Sequence, residues 1–268
     1  MKKRYIGSGA RQWAPKSVNF QTGCKHNCLV CYAKEMSVRY HQSTKDSWET
    51  ARIREEDVNR KKCKYNNTVI MFPSSHDITP NNINEAVIVL HKILESDNEV
   101  LIVSKPHYDC IKKICDEFGD YKDRILFRFT IGSYDNAVLK FWEPNAPDLN
   151  ERMKSLKYAF KNGYETSISC EPMMDNRVDK VIDAVKPFVT ETIWLGKVNQ
   201  MWSRLERNTD MNDELVEKAT QLERWQSDDN ILLLYEKYKN DPVIMWKDSI
   251  LKLVAKSGKV NKKLKMFA

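Results

Sequence analysis

The chain has 268 residues, 41% hydrophobic and 30% charged, enough for one large domain, or a domain plus an appendage, with a packed core. No apolar run approaches the roughly 18 residues a membrane span needs. With only 8 glycines there is no glycine-rich phosphate loop and no Walker motif, and a net charge of +7 favours an anionic partner only weakly.

Residues 1–16 read as an irregular lead-in. Its start, Met1-Lys2-Lys3-Arg4-Tyr5, is basic but no apolar stretch follows, which argues against a secretory signal. Residues 17–22 alternate apolar and polar side chains, the period of a short strand, and Gly23 ends it before a cysteine-rich loop. A helix is expected over about 32–41. Residues 42–66 are highly charged and read as a surface helix or an insert. Thr68–Phe72 is an unbroken apolar run, as in a strand buried on both faces. A helix at 84–94 has Val87, Leu90 and Leu94 in line. Then come a strand at 100–103, a helix at 108–117, a strand at 124–131 and a helix at 150–161 with Met153, Leu156 and Phe160 in line. Gly163 closes that helix. A strand at 165–170, a helix marked by Val178, Val181, Ile182 and Val185, and a strand at 191–195 follow. The remainder reads as helices at 212–224, 229–239 and 242–256.

This alternation predicts an α/β fold with a parallel sheet and helices outside. Its six strand–helix units suit a partial (β/α)6 TIM-type barrel over residues 1–200, with a helical C-terminal extension over 201–268. The extension's Trp202, Trp225, Tyr235 and Trp246 are candidates to cover the barrel opening. Basic residues between Lys252 and Lys265 read as a solvated tail.

The most informative stretch is Cys24-Lys25-His26-Asn27-Cys28-Leu29-Val30-Cys31-Tyr32, three cysteines spaced C-x3-C-x2-C. Thiolates select zinc or iron–sulfur clusters. A [4Fe–4S] cluster normally takes four cysteines, so three leave one iron open for chemistry. Structural zinc, with His26 as a fourth ligand, is the competing reading. It would make the chain a non-enzymatic, zinc-stabilised nucleic-acid-binding protein. The seven cysteines are odd in number and unevenly clustered, which suits a reducing, cytoplasmic setting better than a disulfide framework.

In parallel βα architectures functional groups sit at the C-terminal ends of strands. Those ends offer the cysteine triad; Ser74, Ser75 and Asp77; Ser104 and Lys105; Thr130 and Ser133; Glu171; and Asn199. They are expected to converge on one mouth.

The cysteine spacing resembles the cluster loop of the radical S-adenosylmethionine (SAM) superfamily. Phe141-Trp142-Glu143-Pro144-Asn145-Ala146-Pro147, then Arg152, a helix, Gly163-Tyr164 and a strand ending at Pro172, looks like the spore photoproduct lyase branch. Cys31-Tyr32-Ala33 is similar to related phage and bacterial radical SAM proteins. The resemblance covers about residues 18–200. It implies a [4Fe–4S] cluster held by Cys24, Cys28 and Cys31, with SAM on the open iron. It also implies a reducing partner such as flavodoxin or ferredoxin, and a 5′-deoxyadenosyl radical that takes hydrogen from a substrate, with nucleic acid or a nucleotide as one candidate. Tyr32 is implied to flank SAM, Ser74, Ser75 and Asp77 to stand in the loop that holds its amino group, and Lys105 to meet its carboxylate. Thr130, or failing it Ser133, is implied to face the ribose. Glu171 and Asn199 are cofactor candidates by position alone. The lyases place an aromatic before the third cysteine, where this chain has Val30. They also use a cysteine outside the cluster as hydrogen-atom donor. Cys63 and Cys170 are the candidates here, and Cys170, ending a strand, is the one expected near the mouth.

Overall fold

A computed structural model describes residues 9–258 of the chain, so part of the basic tail lies outside the described residues, as do Met1–Tyr5. In chain order the first elements are β1 (Lys16–Ser17), β2 (Gln21–Thr22), α1 (Tyr32–Arg39), β3 (Arg52–Ile53), α2 (Glu55–Val58), β4 (Val69–Phe72) and α3 (Ile83–Glu95). Next come β5 (Glu99–Ser104), α4 (Tyr108–Glu117), β6 (Ile125–Thr130), α5 (Asn136–Trp142), α6 (Leu149–Lys161), β7 (Glu165–Cys170) and α7 (Val178–Val185). The chain continues through β8 (Ile193–Leu195), α8 (Met201–Asn208), α9 (Asp213–Trp225), α10 (Asp228–Tyr238), β9 (Ile244–Trp246) and α11 (Asp248–Lys256).

The expected α/β architecture is present. Seven strands form one sheet in the order β1-β4-β5-β6-β7-β8-β9, and every pairing is parallel. Alternation along the strands separates two faces. One face sends Ile70, Phe72, Ile102, Phe127, Phe129, Ile168 and Leu195 into the main core beneath the helices. The other gathers Val69, Met71, Leu101, Leu126 and Trp194 around Trp13. Helix α3 buries Ala86, Val89, Leu90, Ile93 and Leu94 on one stripe, each large side chain contributing about 1.5–3 kcal/mol. No ladder joins β1 to β9 among the described residues, but side chains tie the two edges together. Lys247 Nζ donates to the Gly9 carbonyl at 2.9 Å, and Gln12 Nε2 donates to Asp248.

Four local expectations change. The strand expected at 17–22 is split. Val18 N still bonds the Met71 carbonyl at 3.1 Å, but the chain leaves the sheet at Asn19, and β2 pairs antiparallel with β3. The stretch expected as a helix from 242 begins as β9, which pairs with β8 and makes the sheet seven-stranded rather than six-stranded. Helices α5 and α8 were not expected. Finally, α6 is rotated from its apolar reading: Phe160 is 39% exposed while Arg152 is fully buried, because an ion pair rather than an apolar contact sets the inward face. No helix among the described residues is long and apolar enough to cross a membrane.

Candidate functional site

At the C-terminal ends of the strands lies a cavity of about 400 Å3, within the size range of small-molecule sites. Cys24, Cys28, Cys31, Tyr32, Ser74, Ser75, Asp77, Lys105, Thr130, Glu171 and Asn199 all line it. Ser133 and Cys170 do not. Ser133 is fully buried, donating to Asp175 Oδ2 at 2.6 Å and accepting from Asp135 N at 2.9 Å, so it shapes the turn after β6. Cys170 shares the outward face of β7 with Ile168 and is fully buried in the core below the helices. Strand alternation sends Ser169 and Glu171 to the mouth and Cys170 away from it, correcting its expected place. Cys63 lines a separate basic pocket beside β1.

The cysteine loop is set by its flanks. Gly23 has φ +84°, and a Cβ there would lie 2.5 Å from the Trp48 carbonyl, so only glycine fits the entry. Cys31 caps α1, its Sγ accepting from Lys34 N at 3.4 Å. From the far end of the sequence, Asn208 Nδ2 donates to the carbonyls of Leu29 and Cys31, both at 2.9 Å. Burial, reinforced by Asp77 and Cys31, pushes the Cys24 thiol up to about 12, and burial also raises Cys28. All seven cysteines are free. Metal coordination inverts such upward shifts by deprotonating the thiol outright. No group of three His, Cys, Asp or Glu side chains among the described residues gathers around one ion-sized point. His26 is engaged elsewhere, with Nδ1 3.3 Å from Asp77 Oδ2 and Nε2 3.1 Å from His107 Nε2.

The loop after β4 is held on several sides. Asn19 Oδ1 accepts from Ser74 N at 2.7 Å and Ser75 N at 2.9 Å, and the Tyr32 hydroxyl donates to the Ser74 carbonyl. Asp77 is saturated: it accepts from Ser104 Oγ, from Ile78 N at 2.9 Å and from Lys105 N at 2.8 Å. Burial opposes its charge, but His26, Lys105 and Ser104 outweigh that and hold the carboxyl at about 2. Asp77 therefore positions its neighbours while lining the cavity.

Glu143, which lines the cavity, forms a buried pair with Arg152, with Nη2 2.7 Å from Oε2. Arg152 also donates to the Pro147 carbonyl at 2.8 Å and the Thr130 carbonyl at 3.1 Å. Lys105 Nζ stands 3.6 Å from Glu143. Burial disfavours the Lys105 charge, yet Cys28, Glu143 and Asp77 raise its proton affinity above the ordinary lysine value. Glu171 is 3.2 Å from Lys247, a buried residue that follows β9. Gly196 makes room for this pair, since a Cβ there would lie 2.8 Å from Glu171 Cγ and 3.0 Å from Lys247 Cγ.

Lys247, Arg204 and Asn208 were missed in the sequence. A strand signal was present for Lys247, because Val243-Ile244-Met245-Trp246 is a short apolar run. Nothing local marks Arg204 or Asn208.

Uncharacterized protein ORF301 of Acidianus two-tailed virus is 23% identical over 242 residues, covering 85% of this chain and 74% of the relative. Uncharacterized protein MJ0683 of Methanocaldococcus jannaschii is 24% identical over 218 residues, 78% of this chain and 82% of the relative. Among solved structures, spore photoproduct lyase complexed with dinucleoside spore photoproduct superposes with TM-score 0.54 at 14% identity, covering 91% of this chain and 79% of that one. Streptococcus suis SuiB bound to precursor peptide SuiA gives TM-score 0.54 at 10% identity, over 92% and 52%. These likenesses establish a shared fold. The family model of the radical SAM superfamily matches residues 18–186, which include the whole cysteine loop, and sets aside the reading as a zinc-stabilised binding module: the chain belongs to the radical SAM superfamily and is a radical SAM enzyme.

Proposed function

We propose that Cys24, Cys28 and Cys31 hold a [4Fe–4S] cluster, that SAM occupies the 400 Å3 cavity, and that the substrate is a nucleotide or nucleic acid. The observation that carries this reading is the convergence of three free cysteines, Lys105, Thr130, Asn199 and the Ser74–Ser75 turn on one cavity. The donor set fits a cluster better than a single ion. It is three thiols lining one cavity, and the imidazole within their loop, His26, is turned to Asp77 and His107.

When bound, cluster and SAM supply an electron and a 5′-deoxyadenosyl radical able to remove a substrate hydrogen, while the protein positions and shields. Lys105, whose charge Cys28, Glu143 and Asp77 favour against burial, offers a fixed positive charge for SAM's carboxylate. The Ser74–Ser75 turn, already held by Asn19 and Tyr32, presents a pre-set polar edge. Thr130 takes the ribose side, since Ser133 does not line the cavity. Trp48, Met36 and Met174 complete the wall and exclude water. The nucleotide assignment draws on the Glu143/Arg152 and Gly163-Tyr164 features shared with the lyase branch. Photoproduct repair itself is not proposed, because among the described residues no cysteine beyond the three lines the cavity.

The test is anaerobic purification and reconstitution with iron and sulfide, then reduction in the presence of SAM. Brown protein with about four irons that forms 5′-deoxyadenosine, with both properties lost in a Cys24/Cys28/Cys31→Ala variant, supports the reading. Colourless protein that forms none overturns it. Dithionite serves as the reductant, and a flavodoxin or ferredoxin is the expected natural donor.

A further inference from the structure

Among the described residues, lysine and arginine side chains line the cavity from several elements, and all but one have a carboxylate partner. Lys105 has Glu143 at 3.6 Å, Lys247 has Glu171 at 3.2 Å, and Lys197 has Asp228 at 3.4 Å. For Arg204, on α8, no carboxylate lies within ion-pair distance among the described residues. Among the described residues its guanidinium makes one hydrogen bond, a long one, Nη1 to the Val30 carbonyl at 3.5 Å, and its Nε is buried without a partner. A buried donor left unmade on a charged group is costly, and a guanidinium fork is shaped for an oxyanion.

The backbone beside it points the same way. Helix α8 starts at the cavity rim, where Lys197, Val198, Asn199 and Gln200 are lining residues. Gln200 adopts φ +51°, a left-handed conformation, and no side chain caps the helix. The free first-turn N–H groups and the positive end of the helix dipole favour an anion. The turn is held in advance: Val198 N donates to Gln226 Oε1 at 2.9 Å, and Gln226 Nε2 donates to the Met173 carbonyl at 2.7 Å.

We infer that Arg204 and the uncapped start of α8 form an oxyanion subsite for the substrate, and that the group it takes is a phosphate of a nucleotide or nucleic acid. The inference rests on the cavity being the radical SAM site proposed above. SAM carries one carboxylate, and Lys105, on the wall formed by β5 and α5, serves it. Arg204 stands on a different wall, nearest Cys31, Glu35 and Glu171, and is left for the second anion.

The experiment is isothermal titration of the full-length, reconstituted protein with three probes: inorganic phosphate, thymidylyl-(3′→5′)-thymidine and SAM. Arg204→Gln is expected to weaken phosphate and dinucleotide by about tenfold or more, Arg204→Lys by less, and SAM by no more than about threefold. Circular dichroism checks the fold of each variant, and the charge-retaining lysine variant keeps the comparison valid if the glutamine variant is unstable. A wild type that takes up iron and binds SAM but neither phosphate nor dinucleotide overturns the inference while the proposed function stands. A tenfold loss of SAM affinity in Arg204→Gln, with phosphate binding unchanged, overturns it by assigning the guanidinium to the SAM carboxylate. Arg204-dependent binding of tetraglutamate but not of the dinucleotide overturns the phosphate class. A chain that takes up no iron yet binds phosphate through Arg204 leaves the subsite standing and removes the proposed function.

Discussion

Arg152→Met is the most decisive test of what holds the cavity floor. The side chain is fully buried and makes three polar contacts: the Glu143 carboxylate at 2.7 Å, the Pro147 carbonyl at 2.8 Å and the Thr130 carbonyl at 3.1 Å. Methionine fills much of the volume and satisfies none of them. Removing one partner of a buried ion pair costs about 3–5 kcal/mol, because the other charge stays behind. Lys105, at 3.6 Å, relieves part of that, so about 4 kcal/mol is expected. At about 2–4 °C per kcal/mol for a chain of this size, the unfolding midpoint should fall by roughly 8–16 °C. The pH dependence supplies an internal control. Burial works against the Glu143 charge, but Arg152 and Lys105 hold its proton affinity below the ordinary carboxylate value. A depressed acid contributes stability that is full above its unfolded pKa, about 4.3, and is lost as pH falls through the lower folded value. The gap between wild type and variant should therefore be full at neutral pH and shrink below about pH 4. The assay is thermal and urea unfolding of the apo-protein between pH 7 and 3. A loss under about 1 kcal/mol, or a gap that does not change on acidification, would refute the reasoning.

Four further outcomes are expected. Asp77→Asn should cost about 2.5 kcal/mol by the linkage of its depressed pKa; wild-type stability should lose that contribution between about pH 4 and 2, and urea titrations across this window check both. Cys170→Ala should leave 5′-deoxyadenosine formation and substrate turnover intact and cost about 1 kcal/mol of packing; a turnover-dead, folded variant would contradict its placement below the helices. Asn208→Ala strips the Leu29 and Cys31 carbonyls of a shared donor, so stability should fall by about 2–3 kcal/mol, and a ferrous chelator should draw iron from the reconstituted protein faster than from wild type. Gly196→Ala should push Glu171 and Lys247 apart at a cost of about 1–3 kcal/mol, readable as a lower unfolding midpoint.

The parts of the site legible in the sequence are those encoded by local spacing. Three cysteines within eight residues and polar groups after apolar strands need only the strand ends to be placed, and the parallel sheet places them. Cys170 shows where position alone is insufficient. The pattern Thr166-Ser167-Ile168-Ser169-Cys170 already groups Cys170 with Ile168, and period-2 alternation could have turned it away from the mouth. Asp77 was legible as present but not as saturated, since its partners Ser104, Lys105 and His26 come from two other loops. The apolar stripe of α6 misled because a buried arginine occupies its inward face. That substitution is visible only once Glu143, on the preceding segment, is seen beneath it.

What lay beyond reach is concentrated after residue 186, where the superfamily match ends. Arg204, Asn208 and Lys247 act across 174 to 238 positions of sequence, on Val30, on the carbonyls around Cys31 and on Gly9. They reach back because β9 pairs with β8 and brings Lys247 to Glu171, while α8 packs on α1 and brings Asn208 and Arg204 to the cysteine loop. In the proposed reading, the early strands carry the groups that meet SAM. The late elements both brace the cysteine loop and supply the unpaired guanidinium. Substrate choice is therefore expected to track changes at Arg204 and the 197–200 turn more closely than changes at Lys105 or the Ser74–Ser75 turn. Swapping the 197–204 segment with that of a superfamily member of known substrate would test this: SAM affinity should persist while the preferred substrate anion changes, and a swap that abolishes SAM binding while leaving anion preference untouched would place selection elsewhere.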